Sequence, residues 1–274
     1  MSKPLVSVII PTYNSEKTLR LCLESIKRQT YKNIEVIVVD NFSIDRTVDI
    51  AKSYGAKIVQ ERAERSKAKN VGLRLAKGQY VLFIDSDMEL TSKVVEECVT
   101  LIESKPKVGG IIIPERSIGN SYWVKVRDFE RSFYRGTLIE SPRFFRRDIA
   151  LKVGGFDEDL VFYEEATLPY KVENIGYDIR ARIKAEILHH EDDFSILEWL
   201  KKKYYYGKTA RKYVERYKRY GSKQTDPLGR FGLFLKNRRF YSKPLLALGV
   251  LILKSLEYVA AIIGYLLGKV ENTR

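Results

Sequence analysis

The sequence predicts an α/β protein built on a mostly parallel sheet flanked by helices, and three observations carry that prediction. Short runs rich in Val and Ile recur, separated by segments with helical spacing, which is the signature of βαβ units. The runs are nearly continuous in apolar character, as strands buried on both faces are. Three of them end on polar or acidic residues: Pro11-Thr12-Tyr13-Asn14, Asp40 and Asp85-Ser86-Asp87.

Taken in order, Val6–Ile10 is the first strand and runs into Pro11–Asn14. Leu19, Cys22, Leu23 and Ile26 follow at i, i+3, i+4 and i+7, one face of a helix. Ile34–Val39 is a second strand ending on Asp40, and the loop Asn41–Thr47 leads into a helix through Ala51. Lys57–Val59 is a short third strand. Ser66–Ala76 is helical until Gly78 breaks it, and Tyr80–Ile84 is the fourth strand, with Asp85 at its end. Right-handed crossovers stack these strand ends along one edge, where open α/β sheets bind ligands.

Asp85 and Asp87 repel each other unless a cation sits between them, and hard carboxylate oxygens suit Mg²⁺ or Mn²⁺. The same acids could equally cap the next helix. The crevice is nucleotide-binding in type, yet the chain has no G-x-G-x-x-G and no G-x-x-x-x-G-K-[ST], which disfavours a dinucleotide enzyme or a P-loop NTPase. Cys22 and Cys98 lie in helical patterns at a spacing that suggests neither a disulfide framework nor a zinc site. Met1-Ser2-Lys3-Pro4 leads straight into a strand, without a signal-peptide pattern.

Together these segments resemble the inverting family 2 glycosyltransferases, which have a GT-A fold. Pro11-Thr12-Tyr13-Asn14 matches their P-x-Y-N segment, and Val39-Asp40-Asn41-Phe42-Ser43-Ile44-Asp45 their V-D-D/N-x-S-x-D segment. Ala68-Lys69-Asn70-Val71-Gly72 matches A-R-N-x-G loosely, Asp85-Ser86-Asp87 is the D-x-D triplet, and Gly154-Gly155-Phe156-Asp157-Glu158 is intact. Glu164-Glu165 stands where an E-D pair is expected. The resemblance covers roughly residues 5 to 190.

It implies transfer of a sugar from a nucleoside diphosphate, with inversion and with Mn²⁺ or Mg²⁺ as cofactor. Asp87 would ligate the metal with Asp85 beside it, and His189 or His190 would complete the shell. Glu165, with Glu164 before it, stands at the position of the base. Asp40 would hydrogen-bond the nucleotide base and Tyr13 stack on it, while Pro11, Thr12, Asn14 and Ser86 line the pocket or shape its loops. Arg62, Arg65 and Lys69 are candidates for the diphosphate, with a solvated helix face as the alternative for each.

The net charge of +14 is concentrated in one region. Residues 201–243 hold fifteen Lys/Arg against Glu215 and Asp226, whereas the first 200 residues are balanced. That stretch mixes cations with aromatic rings, as in Lys201-Lys202-Lys203-Tyr204-Tyr205-Tyr206, which suits single-stranded nucleic acid or a lipid headgroup layer. Pro244–Gly268 then runs nearly all apolar, which nucleic acid does not explain. On a helical wheel Lys243, Lys254, Glu257, Tyr258 and Tyr265 share one narrow stripe, so the helix is expected to lie in the interface with its apolar face in lipid. A single transmembrane span is the runner-up, and a helix buried against protein is third.

The domain expectation is a catalytic domain over 1–194, divided at 115/116 into nucleotide-sugar and acceptor parts, and a helical membrane-association region over 195–274. The expected partners are a nucleotide-sugar donor, a lipid or lipid-linked acceptor and an anionic membrane surface at the cytoplasmic face. No nucleic acid is expected and no oligomeric state is assigned. GDP-mannose is the first choice of donor, on a likeness to dolichyl-phosphate mannosyltransferase-like members, with UDP-sugars as the alternative. A non-catalytic nucleic-acid- or membrane-binding protein on the same scaffold is the competing class.

Overall fold

The computed structural model describes residues 3–271, with side chains for all but Arg219 and residues 269–271. The chain forms two compact units. The first takes the residues up to Arg116 with Ser141–Asp159 and Glu164–His190, and the second takes Ser117–Glu140, Leu160–Tyr163 and the chain from Glu191 onward. Compactness thus divides the chain differently from a cut at residue 194, because residues 117–140 carry aromatic side chains that pack with Phe234 and Phe240.

In the first unit the chain alternates β1 (Val6–Thr12), α1 (Leu19–Lys27), β2 (Ile34–Asp40), α2 (Thr47–Ser53), β3 (Lys57–Gln60), α3 (Arg65–Leu75) and β4 (Tyr80–Phe83), as its periodicity predicts. After it come β5 (Met88–Leu90), α4 (Val94–Ser104), β6 (Gly110–Ile112) and β7 (Glu115–Ile118), where the chain passes into α5 (Tyr122–Arg131) of the second unit. The first unit resumes with β8 (Phe144–Arg146), α6 (Arg147–Lys152), α7 (Thr167–Asn174), β9 (Ala181–Arg182) and β10 (Ile187–His190).

Seven strands form one sheet in the order β3-β2-β1-β4-β8-β6-β9. The pairs β1–β2, β1–β4, β2–β3 and β6–β9 are parallel, and β8 runs antiparallel between β4 and β6. Side chains alternate between two cores. Val8, Ile10, Val38 and Leu82 pack with Leu19, Cys22, Leu23 and Ile26 of α1 and Cys98 and Ile102 of α4. Ile9, Ile37, Val39, Val81 and Phe83 face Ala68 and Leu73 of α3, Ile149 of α6 and Leu168 of α7. Burial on both faces is why these strands lack an alternating polar pattern.

The register builds the site. Thr12 pairs with Asp40 at the ends of β1 and β2, and Ile9 pairs with Phe83, so Asp85 emerges beside the end of β1. A second, smaller strand pair carries Met88 and His189 opposite each other, from β5 and β10.

The second unit is helical: α5, α8 (Ile196–Thr225), α9 (Pro227–Leu235) and α10 (Pro244–Glu271), with a 3-10 turn at Arg238–Ser242. Helix α8 is interrupted at Lys218 (φ 38°, ψ −117°). Asp226 caps α9 by accepting from the Leu228 N–H at 3.0 Å, with Pro227 at the first turn. Its core is aromatic, with Phe129 stacked on Phe240 at 6.0 Å and Phe133 edge-on to Phe234 at 5.8 Å. Helices α8 and α10 meet at backbone distance: a Cβ on Gly264 would lie 2.0 Å from the Tyr204 carbonyl oxygen.

The orientation of α10 corrects the sequence expectation. Its charges do not face outward. Lys254 Nζ lies 2.6 Å from Glu257 and 2.7 Å from Glu130, and Trp199 Nε1 donates to Glu257 at 2.7 Å. The outward face is apolar instead, with Leu245, Leu248, Ile252, Val259 and Ile262 exposed. A stripe of charge beside a broad apolar face satisfies buried partners as readily as it satisfies water, and here α5 and α8 supply the partners.

Candidate active site

Two loops at the ends of β1 and β2 are stitched into one cradle. Thr12 Oγ1 donates to Asp40 Oδ1 at 2.9 Å, Ser43 Oγ to the same oxygen at 2.5 Å, and Ser43 N–H to Oδ2 at 2.9 Å. Gln60 Nε2 donates to Oδ2 at 3.3 Å, the longest of the four. Asp40 is wholly buried. Its carboxylate is therefore engaged by the loop, rather than standing free for a nucleotide base as the sequence suggested. Asn14, at φ 47°, donates its N–H to Ser43 Oγ (2.8 Å) and accepts from the Ile44 N–H (3.0 Å), so it shapes the loops, as Thr12 does. Tyr13 projects from this cradle 62% exposed, with a free ring face for stacking. Pro11 is half-buried below it.

Beside the cradle the acids of three segments share three cations. Arg65 Nε is 4.0 Å from Asp85 Oδ1 and 3.6 Å from Glu164 Oε1, and Lys69 Nζ is 3.5 Å from Glu164 Oε1. Arg143 Nε donates to Glu115 at 2.5 Å, while its terminal nitrogens lie 3.7 Å from Asp85 and 3.6 Å from Glu165. Burial raises the Asp85 pKa, but Arg65, Lys69, Arg143 and His189 outweigh it and hold the carboxyl well below its usual range. Burial wins at Glu164, whose pKa lies above the usual value despite Lys69 and Arg65. For Arg143, burial is overcome by Glu115, Asp85 and Glu165, and its pKa rises. Glu165 stays exposed and Glu164 is buried.

Several expected roles change here. Lys69 is buried, with its ammonium committed to Glu164 and lying 5.3 Å over the Phe156 ring, so it does not face a diphosphate. Arg65 is the cation still accessible at the rim, at 41% exposure. Arg62 sits over the Phe42 ring at 5.7 Å, apart from the acid cluster. Arg143 was missed altogether: a lone arginine before Phe144-Phe145 has no periodicity to mark it, and only the β4–β8 pairing brings it to Asp85.

Asp87 differs from its neighbours. Its Oδ2 is 3.1 Å from His189 Nε2, and its Oδ1 is buried with no hydrogen-bond partner. A carboxylate oxygen left bare costs free energy unless a ligand meets it. His190, next along the strand, points the other way, with Nε2 3.0 Å from Glu89, because successive strand residues face opposite sides. Asp85 is turned to its arginines. The expected metal set of Asp85, Asp87, His189 and His190 therefore reduces to Asp87 and His189, and among the described residues no three His, Cys, Asp or Glu side chains converge as a metal cluster. Two protein ligands still fit a small divalent cation, which commonly takes its remaining ligands from phosphate and water.

The floor is fixed by neighbouring segments. Ser86 Oγ donates to Ser15 Oγ at 3.0 Å, and the Cys22 thiol lies 3.8 Å from the Asp85 carbonyl oxygen. Burial, then Asp87 and Asp85, pushes that thiol's pKa far up. Asn70 clamps the Gly-Gly-Phe turn, donating to the Phe156 carbonyl oxygen (2.9 Å) and accepting from the Phe156 N–H (2.8 Å). Gly155, at φ 68°, lies so close that a Cβ would fall 2.2 Å from Asn70 Oδ1. The two segments, far apart in sequence, are halves of one lock.

Comparison with known proteins gives the same direction. The model of "Glycosyl transferase family 2" matches residues 7–166. Glycosyltransferase GlyA of Streptococcus pneumoniae is 38% identical over 140 residues, 45% of this chain, and the chain spans 20% of that relative's length. Among solved structures, the mannosyltransferase PcManGT of Pyrobaculum calidifontis, in complex with GDP-Man and Mn²⁺, shares the fold at a TM-score of 0.69. It is 19% identical, with 97% of this chain and 88% of that chain covered. TarS 1–349 of S. aureus, in complex with UDP-GlcNAc, matches at a TM-score of 0.57 and 23% identity, covering 75% of this chain and 66% of that one.

Proposed function

This chain belongs to glycosyl transferase family 2, and we propose that it moves a sugar, with inversion, from a nucleoside diphosphate donor to a lipid or lipid-linked acceptor at a membrane surface. The observation that carries this reading is Asp87 Oδ1, a buried carboxylate oxygen with no partner beside His189, at the strand edge where the diphosphate is expected. Asp87 and His189 would hold Mn²⁺ or Mg²⁺. When bound, that cation would act as Lewis acid on the departing diphosphate.

The chain's own residues account for the remainder. Tyr13 offers a stacking face to the base, and Asp40 can exchange its long Gln60 bond for one from the base. Arg65 donates to the diphosphate from the rim. The acceptor oxygen attacks the anomeric carbon from the face opposite the diphosphate. As the new C–O bond forms, the bond to the diphosphate breaks and its electron pair leaves with the nucleotide. The acceptor hydroxyl's proton passes to Glu165, which Arg143 holds at 3.6 Å. A phosphate acceptor, already anionic, would need no such transfer. Glu164, buried between Lys69 and Arg65, orders the cluster rather than exchanging protons with the acceptor.

GDP-mannose is the preferred donor, supported by the fold likeness to a protein solved with GDP-Man and Mn²⁺. A UDP-sugar is the alternative, supported by the likeness to one solved with UDP-GlcNAc. Titration of thermal stability with GDP and UDP, each with Mn²⁺, distinguishes them: one pair should raise Tm. A protein whose Tm responds to neither is not a nucleotide-sugar enzyme.

The acceptor and the cytoplasmic membrane location rest on the second unit. There the exposed apolar face of α10 follows a stretch in which Lys236, Arg238, Arg239 and Lys243 are exposed beside Leu235, Tyr241 and Leu245. Apolar area plus cations is the pair of signals that stable interfacial attachment requires. Replacing Leu248 and Ile252 by glutamate should reduce binding to vesicles containing phosphatidylserine while leaving nucleotide binding intact. Unchanged vesicle binding would remove α10 as the docking face.

A further inference from the structure

The four residues before the acid pair, Leu160–Tyr163, belong to the second unit, and the chain rejoins the first at Glu164. Within the second unit Tyr163 is held on every side. Its hydroxyl donates to the Gln224 carbonyl oxygen at 3.1 Å and accepts from Arg230 Nη2 at 3.0 Å. Its ring stacks on Tyr213 at 5.5 Å, and Phe162 meets it edge-on at 4.6 Å. Arg230 also donates to the Gln224 carbonyl oxygen at 3.0 Å and lies 4.8 Å over the Tyr134 ring. Tyr134 in turn donates to Glu130, the partner of Lys254.

All this fixes a residue in a conformation that a bulky L side chain rarely adopts, at φ 51°. Such a backbone persists only where its surroundings over-determine it, and such places concentrate at functional sites. Directly after it come Glu164 and Glu165. On their far side Thr167 Oγ1 donates to the Glu164 carbonyl oxygen at 2.7 Å and accepts from the Asp157 N–H at 3.1 Å. The acid pair is thus pinned behind by Thr167 and in front by Tyr163.

We propose that Tyr163 and Arg230 are positioning residues for Glu164 and Glu165, holding the peptide that enters the acid pair so that both carboxylates keep their places against Lys69 and Arg143. The inference rests on the reading of Glu165 as proton acceptor for its kinetic consequence, and on geometry alone for its structural one. A displacement of a reacting group by about 1 Å costs up to a hundredfold in rate.

Two variants of the full chain test it. Tyr163→Phe keeps the ring stack and removes the hydroxyl, and Arg230→Gln removes the donor to that hydroxyl. Transfer is measured with GDP-mannose and with UDP-N-acetylglucosamine, and amide hydrogen exchange is followed across residues 164–167 without ligand. The expected result is a kcat lower by about tenfold at unchanged donor KM and Tm, with faster exchange confined to 164–167. Arg230→Lys should restore part of both. Wild-type kcat and exchange in both variants overturn the proposal. So does a loss of kcat that follows a fall in Tm, with exchange rising throughout the second unit. If the wild-type chain turns over neither donor, the catalytic reading falls by itself. The exchange readout still decides: faster exchange limited to 164–167 upholds the positioning role, and unchanged exchange overturns it.

Discussion

In the first unit Asp85, Glu164 and Glu165 share Arg65, Lys69 and Arg143, while Asp87 keeps one buried oxygen without a partner. In the second, Lys254 joins Glu130 to Glu257, Trp199 donates to Glu257, and Lys203 stands 3.8 Å from it. Both regions bury charge, and both were visible in the sequence as charged residues among apolar ones. They differ in closure. The second cluster satisfies itself, so its charges specify how α5, α8 and α10 pack. The first leaves an acceptor open and a carboxylate exposed, so it has something to offer a ligand. An open valence, rather than the mere presence of buried charge, separates the candidate site from the scaffold.

The largest effect should come from the open oxygen. Asp87→Ala is expected to lower metal-dependent transfer at least about ten-thousandfold, the several kcal/mol that a Lewis acid supplies, with unfolding by urea unchanged. Retained activity would erase the distinction between the clusters. Next is the closed cluster. Lys254→Met strands Glu130 and Glu257 and should cost about 3–5 kcal/mol in the same urea measurement. Replacing all three charges together by apolar residues should recover much of that loss, which the catalytic cluster would not tolerate.

A smaller effect is expected at Glu165. Glu165→Gln should slow transfer to a hydroxyl acceptor about a hundredfold, leaving the nucleotide-induced Tm shift intact. Equal losses in both would argue against proton acceptance. The smallest concerns Lys203. Burial, with Lys254 and Arg127 adding to it and Glu257 opposing, lowers its pKa to about 8 from 10.5. Between those values the unfolded chain holds a proton that the folded chain has released. Stability should therefore rise with pH across that window. Lys203→Met should flatten the rise in denaturation curves; an unaltered slope would assign it to another group.

Much of the first unit was legible because it rests on periodicity. Leu19, Cys22, Leu23 and Ile26 are buried as their spacing requires, and the register of β1 with β2 and β4 follows from strands apolar on both faces. Asp87 and Glu165 stood out through the family resemblance. Arg143 did not, since a buried cation in a connecting segment belongs to no repeat. Neither did Lys69's commitment to Glu164, ninety-five positions away. For α10 the wheel grouped Lys254 with Glu257 correctly, yet a wheel says which residues share a face and not which medium that face meets. That depends on partners such as Glu130 and Trp199, distant in sequence.

Cys22 has a practical consequence. Its thiol lies beneath the Asp85 carbonyl, shut away from solvent, and Cys98 is likewise buried in the same unit. Neither can meet an alkylating reagent until the structure around it opens, so each labelling rate is a clock for a different opening. Should Cys22 react before Cys98, the floor under the acid triplet breathes independently of the core. A bound nucleotide should then slow the first clock and leave the second running.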